Sequence, residues 1–213
     1  MTDSLHGAAQ KLAQWGRECH ARGWVLGTSG NFSIVLSREP LRLAITPSGA
    51  DKGNLPPAQI LEIDSNAAVL TGTGRPSAEV ALHLLLVRVR QAGAVLHTHS
   101  IWSTFLSGRH AAEGRLILEG FEMLKGLRGV TTHEHREVIP IVANRQDIPA
   151  LATEVEQLLL RHPDSHGFLI HRHGLYTWGD DFEEARRHLE VLEFLLEVVG
   201  REQTGGKEAP IRR

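Results

Sequence analysis

The sequence predicts an α/β fold: a single layered domain with a mixed, largely antiparallel central sheet flanked by helices. Three observations predict it. The chain has 213 residues, which is one domain's worth of polypeptide. Short apolar runs of strand length are interspersed with stretches of helical periodicity. Several strands are joined by turns of hairpin length, which suit antiparallel neighbours. Apolar residues make up 41 % and charged residues 23 %, shares that exclude the disordered, collagenous and low-complexity classes.

The elements follow in order. Residues 5–22 have helical spacing, with Leu5, Ala9, Leu12 and Cys19 near one face and Gly23 as a stop. Residues 27–31 form a turn cluster. Residues 32–36 read as a strand, and 41–46 as its hairpin partner across Arg38-Glu39-Pro40. Residues 46–49 are a second loop, 60–63 a short strand, and Ala68-Val69 a continuation of the sheet. Ser77 can cap a helix that runs to about Arg90. Residues 94–97 are a strand ending in His-Thr-His, and 101–107 a short helix. The stretch 108–137 is rich in Gly, Glu and His and is expected to be irregular. A strand at 138–142 and a helix at 149–161 follow. Residues 168–171 form a strand ending in His-Arg-His-Gly, which 175–178 extends or pairs with. Asp180 with Glu183 three residues on reads as a capping box for the last helix. Leu189, Leu192, Leu196 and Val199 are its buried stripe and Gly200 its end. One domain is expected over 1–213, with a core of about 8–200 and a frayed polar tail at 202–213.

Charge and composition restrict function. The formal net charge is −2, so no overall positive field points to nucleic acid. One cysteine, Cys19, excludes an intrachain disulfide framework and a Cys-rich zinc module. Met1-Thr2-Asp3-Ser4 lacks the basic and apolar regions of a signal peptide. The longest apolar stretch, 80–96, is interrupted by His83, Arg88, Arg90 and Gln91, so no membrane span is expected and the cytoplasm is the expected compartment. No GxGxxG or GxxxxGK[ST] fingerprint supports a nucleotide fold.

The unusual number is 13 histidines against one tyrosine. His97 and His99 end an apolar strand, and residues i and i+2 of a strand point to the same side, so both imidazoles can reach one ion. Spacing alone is equally compatible with two half-buried histidines at a strand end. A third ligand would come from the second His-x-His, where His171 and His173 cannot be told apart by spacing. Three ligands leave a position open for substrate, the arrangement of a catalytic zinc site. His133 and His135 read as solvent-facing on a loop, and His83 as a packed or half-exposed helix residue rather than a ligand. Three loops rich in glycine and hydroxyls, 27–31, 46–49 and 76–78, suit a phosphate through their N–H groups, above all Ser77 at a helix N-terminus. Taken singly, each is ordinary turn chemistry.

The motifs together resemble a known family. Gly-Thr-Ser-Gly-Asn-Phe-Ser (27–33), Ile-Thr-Pro-Ser-Gly (45–49), Arg-Pro-Ser-Ala-Glu (75–79), His-Thr-His-Ser (97–100) and Arg-His-Gly (172–174) resemble, in that order, the class II aldolase/adducin family over about residues 8–200. The resemblance implies that fold, one zinc ion per subunit on His97, His99 and His173, and phosphate-binding positions at Gly30, Asn31, Ser48, Gly49 and Ser77. His171 then falls in a variable position. The segment 121–127, the His-Thr-His-Ser form and the ending 173–179 are most similar to a branch that dehydrates 5-methylthioribulose 1-phosphate in methionine salvage. That branch assigns acid/base catalysis to Glu122, whereas the family's aldolases place it at Glu79. Phe121, Met123 and Leu124 are available for a methylthio pocket. A homotetramer with active sites at subunit boundaries is also implied. The alternatives are an aldolase or 4-epimerase on a sugar phosphate, and a non-catalytic adducin-like binding protein.

Overall fold

The computed structural model describes residues 4–205. Its nine strands are β1 (Asn31–Arg38), β2 (Leu41–Ile45), β3 (Leu61–Asp64), β4 (Val69–Thr71), β5 (Ala94–Thr98), β6 (Arg115–Glu119), β7 (Arg136–Val142), β8 (Gly167–Ile170) and β9 (Gly174–Gly179). The helices are α1 (Leu5–Ala21), α2 (Val80–Val89), α3 (Ile101–Arg109), α4 (Ile148–Arg161) and α5 (Phe182–Thr204). The strands form one sheet in the order β4-β3-β2-β1-β5-β9-β8-β7-β6. β7 and β8 run parallel, and the other neighbours are antiparallel, as the hairpin-length turns predict.

β5 lies at the centre, between β1 and β9, and all five of its residues are buried. Its apolar run therefore serves two core layers. Ala94 and Leu96 face the layer that α1 and α5 complete with Leu12, Trp15, Leu189 and Leu192. Val95 faces the layer built from Leu82 and Leu86 of α2 and Val155 and Leu159 of α4. By the two-residue period of a strand, His97 leaves on the α2 and α4 side and Thr98 on the α5 side. No helix among the described residues is long and apolar enough to cross a membrane.

Four expectations are corrected. The stretch 108–137 is not irregular throughout: it holds β6, a 3₁₀ turn at Glu122–Gly126 and the start of β7. β6 buries only Leu116 and Leu118 at the sheet edge, too short an alternation to stand out in sequence. Helix α2 starts at Val80, and Ser77 is not its cap; the Ser77 hydroxyl accepts the Glu79 N–H at 3.2 Å in the turn before it. The cap of α5 is Asp181, whose Oδ1 accepts the Glu184 N–H at 2.8 Å while Glu184 Oε2 accepts the Asp180 N–H at 2.9 Å. The cap thus lies one residue later than predicted, in step with burial of Phe182 at the first helical position, and Glu184 returns its bond to the N–H before the cap rather than to the cap's own. Gly200 does not end α5, which runs to Thr204; its missing Cβ makes room for the Trp102 ring. Residues 202–204 of the expected tail are thus helical, and 206–213 lie outside the described residues.

Candidate metal centre and anion cleft

Two chain segments, the end of β5 and the β8–β9 turn, bring three imidazoles together. His97 sits on β5, opposite Asn31 of β1 and Tyr176 of β9. Its ring stacks on Tyr176 at 3.9 Å, and its Nδ1–H donates to the Leu175 carbonyl at 2.9 Å. That bond settles the tautomer and leaves the Nε2 lone pair free. His99 lies one residue past the strand end, held by its N–H to the Trp24 carbonyl at 2.8 Å. His173 is in the tight turn between β8 and β9, after Arg172 at φ 51°. His97 Nε2 and His99 Nε2 are 2.8 Å apart, and His99 Nε2 and His173 Nε2 are 3.0 Å apart. Only one histidine of the second His-x-His joins the cluster: His173 enters and His171 does not, since the pair occupies a turn rather than one strand face.

The cluster favours neutral rings. Burial, then the neighbouring imidazoles, pushes His97 well below the usual histidine range. Burial and His173 take His99 down to about 3, and burial lowers His173 despite Glu79 beside it. Neutral imidazoles with converging Nε2 lone pairs are the donor set of a cation, and zinc is a common ion in such nitrogen-rich sites.

Glu79 adds a carboxylate. Its Oε1 is 3.3 Å from His173 Nε2 and 3.7 Å from His97 Nε2. Its Oε2 accepts the Asn31 Nδ2–H at 2.7 Å. Asn31 Oδ1 accepts from His83 Nε2, and His83 Nδ1 accepts the Ser33 hydroxyl at 2.7 Å. His83 is fully buried and held neutral by that burial, so it is packed, as expected, and also orients the amide that holds Glu79. On the other face of β5, Thr98 donates to the buried Glu193 at 2.5 Å, whose carboxyl burial pushes up to about 7 against the hydrogen bonds of Ser100 and Thr98.

The three small-residue loops meet beside the cluster. Gly30, Asn31, Ser48, Gly49 and Ser77 line one cleft of about 110 Å³, together with Glu79, His99 and Lys52. The Ser48 N–H bonds the Arg75 carbonyl at 2.9 Å and ties two loops together. Gly30 is required at its position: its φ is 70°, and a Cβ there would stand 2.6 Å from the His97 carbonyl oxygen. Gly174 is equally constrained, because its Cβ would run into the Thr98 carbonyl oxygen. Larger clefts of about 530 and 670 Å³ lie elsewhere and include none of the expected site residues.

Lys52 is the cleft residue that sequence reasoning missed. It is 1 % exposed. An Asp-Lys pair after a Pro-Ser-Gly loop reads as surface charge; in the fold the Lys52 backbone packs against Gly16 of α1 and its Nζ bonds the Thr28 carbonyl. Glu122, by contrast, does not line the cleft. It is 73 % exposed, paired with Lys125 at 2.6 Å and near His133 at 3.9 Å. Leu124 is buried in the core and is no pocket wall, whereas Met123 is exposed. His133 faces solvent as expected, but His135 is half-buried on Glu137 at 2.8 Å, a correction that follows from β7 starting earlier than predicted.

Comparison with known proteins extends this geometry. The family model described as "Class II Aldolase and Adducin N-terminal domain" matches residues 10–199. A methylthioribulose-1-phosphate dehydratase of Sorangium cellulosum is 45 % identical over 199 residues, 92 % of each chain. One of Methylococcus capsulatus is 45 % identical, covering 91 % of this chain and 93 % of its own. Among solved structures, YgbL from Escherichia coli superposes with a TM-score of 0.79 at 26 % identity, covering 98 % of this chain and 93 % of the other. An L-fuculose 1-phosphate aldolase shares the fold at TM-score 0.76 and 22 % identity, covering 96 % and 90 %.

Proposed function

This chain belongs to the class II aldolase and adducin family, and on that basis we propose that it removes water from 5-methylthioribulose 1-phosphate. The reaction takes the proton from C3, expels the hydroxyl from C4 and yields the 2,3-diketone 1-phosphate after the enol tautomerises. The observation that carries the proposal is the meeting of three neutral imidazoles, one carboxylate and a phosphate-sized cleft within a single strand-end cluster. Dehydration is favoured over aldol cleavage by near-full-length similarity to proteins named as dehydratases.

We assign His97, His99 and His173 as ligands of one Zn²⁺ per subunit. The donor set fits: the Nε2 atoms of three neutral imidazoles converge, with neighbouring pairs 2.8 and 3.0 Å apart, so that one cation can satisfy their lone pairs together. Bound there, zinc would supply Lewis-acid polarisation of the ketone and charge stabilisation for the developing enediolate. The protein's own groups do the rest. The loops around Gly30, Asn31, Ser48, Gly49 and Ser77 hold the phosphate, so that C3 and C4 are presented to the histidine cluster. A carboxylate accepts the C3 proton and returns a proton to the departing hydroxyl, help worth about 10²–10⁴-fold. Glu122 is our assignment from the resemblance. Glu79 is the second candidate, supported by its place beside the cluster and by the Asn31 amide that orients it. The reading also includes a homotetramer in the cytoplasm, which sedimentation and fractionation test.

The deciding experiment is to incubate the zinc-loaded protein with 5-methylthioribulose 1-phosphate and weigh the product. Loss of one water with no carbon fragment is expected. Release of a three-carbon ketone phosphate would make the chain an aldolase.

A further inference from the structure

A phosphate monoester in the cleft brings nearly two negative charges into a small, partly dry space. The loop hydroxyls and peptide N–H groups are neutral donors, and His99 is held neutral by burial. Lys52 is the one lysine or arginine among the described residues that line the cleft. Its Nζ donates one hydrogen bond, to the Thr28 carbonyl at 2.7 Å, and an ammonium has three protons to give. No carboxylate lies within ion-pair distance of it among the described residues. Two features aim the side chain rather than merely bury it. Its backbone is packed against Gly16, where a Cβ would stand 2.8 Å from the Lys52 carbonyl oxygen. Its head is tied to Thr28, a β-branched residue at φ 68°, in the left-handed region that such residues rarely occupy.

We infer that Lys52 binds the substrate's phosphate group and supplies the positive charge that the neutral loops lack. The inference rests on the proposed sugar-phosphate substrate and adds the residue that makes the cleft select a dianion. Burial lowers the Lys52 ammonium to about 8, with Glu79 and Asp51 opposing from beyond ion-pair distance; an arriving phosphate would add a counter-charge in direct contact. Lys52 is then a binding residue: its loss weakens affinity for the phosphorylated substrate more than it slows turnover at saturation.

The test is calorimetric titration of the zinc-loaded protein with inorganic phosphate, comparing wild type, Lys52→Met and Lys52→Arg. Lys52→Met is expected to raise the phosphate Kd by roughly tenfold or more, and Lys52→Arg to recover part of the loss. Zinc content and melting temperature without phosphate should stay close to wild type, which a mere brace on Thr28 would not allow. If Lys52→Met does not fold, the Lys52 ¹³Cε resonance of the wild type is followed instead. It should move on phosphate addition, with the calorimetric Kd. Wild-type affinity in Lys52→Met, or a resonance that does not move, overturns the inference. A wild type that binds no phosphate overturns it together with the anion cleft. Phosphate binding that depends on Lys52, in a protein that does not dehydrate the methylthio sugar phosphate, removes the substrate assignment and leaves the inference standing.

Discussion

Replacing Gly30 by Ala tests how the proposed phosphate loop and the strand that carries the histidine cluster are built against each other. Gly30 and Gly49 both line the cleft, and both have left-handed backbones, at φ 70° and 71°. They differ in surroundings. A Cβ at Gly49 meets nothing within 4 Å, whereas one at Gly30 lies 2.6 Å from the His97 carbonyl oxygen and 2.7 Å from Val25 Cγ1. Gly49→Ala should therefore cost only the left-handed penalty, about 1 kcal/mol. Gly30→Ala should carry the same penalty plus an overpacking cost of about 1–3 kcal/mol, for a total of about 2–4 kcal/mol. The added strain falls on β1 and β5, the pair that holds Asn31 opposite His97. Zinc affinity should consequently weaken by roughly tenfold in Gly30→Ala and stay unchanged in Gly49→Ala. Urea unfolding gives the first quantity, and competition with a chelator of known affinity gives the second. Equal stability losses in the two variants would refute the claim that close approach, rather than backbone conformation, is why glycine stands at position 30.

A second prediction concerns pH. Glu137 is 1 % exposed and accepts the His166 N–H at 2.9 Å and its Nδ1–H at 3.0 Å. Burial opposes charge on both, yet the hydrogen bonds and mutual attraction prevail, holding His166 above its ordinary 6.5 and Glu137 below its ordinary 4.5. A raised histidine stabilises below its unfolded pKa and loses that contribution as pH climbs through the folded value; a lowered carboxyl stabilises above its unfolded pKa and loses it as pH falls. Glu137→Gln should thus cost most between about pH 5 and 6, about 2–4 kcal/mol, and less as pH rises through the His166 titration. A pH-independent loss in urea melts would contradict this. His99→Ala should abolish zinc binding by elemental analysis and, with it, turnover. Glu122→Gln is expected to keep its zinc and lose turnover by about 10²-fold or more; near-wild-type turnover removes Glu122 from the mechanism and leaves the role to Glu79, which Glu79→Gln then checks.

Much of the candidate site was legible because its residues are clustered along the chain. His97 and His99 are joined by a strand end, and the glycine-hydroxyl loops carry the small residues that tight backbone demands. What spacing left open was the partner in the second His-x-His. A strand places His171 and His173 on one face, but the chain turns there, and only His173 reaches the cluster. Lys52 and His83 were not legible for a different reason. A charged residue after a turn and a histidine inside an apolar helix have no local signature of function, and each acquires its part from residues far away in sequence: Thr28 for one, Asn31 and Ser33 for the other.

Hydrophobic period and turn chemistry determined the sheet, its mostly antiparallel pairing and the helices that cover it, since these depend on residues within a few positions of one another. Tertiary structure decided β6, whose short alternation gains meaning only beside β7, and the phase of the α5 cap, which lies one residue later in step with burial of Phe182. It also decided which charged groups are enclosed. Lys52 lies inside the cleft and Glu122 outside it because enclosure depends on what packs over a side chain, and the chain on either side of a residue does not specify that.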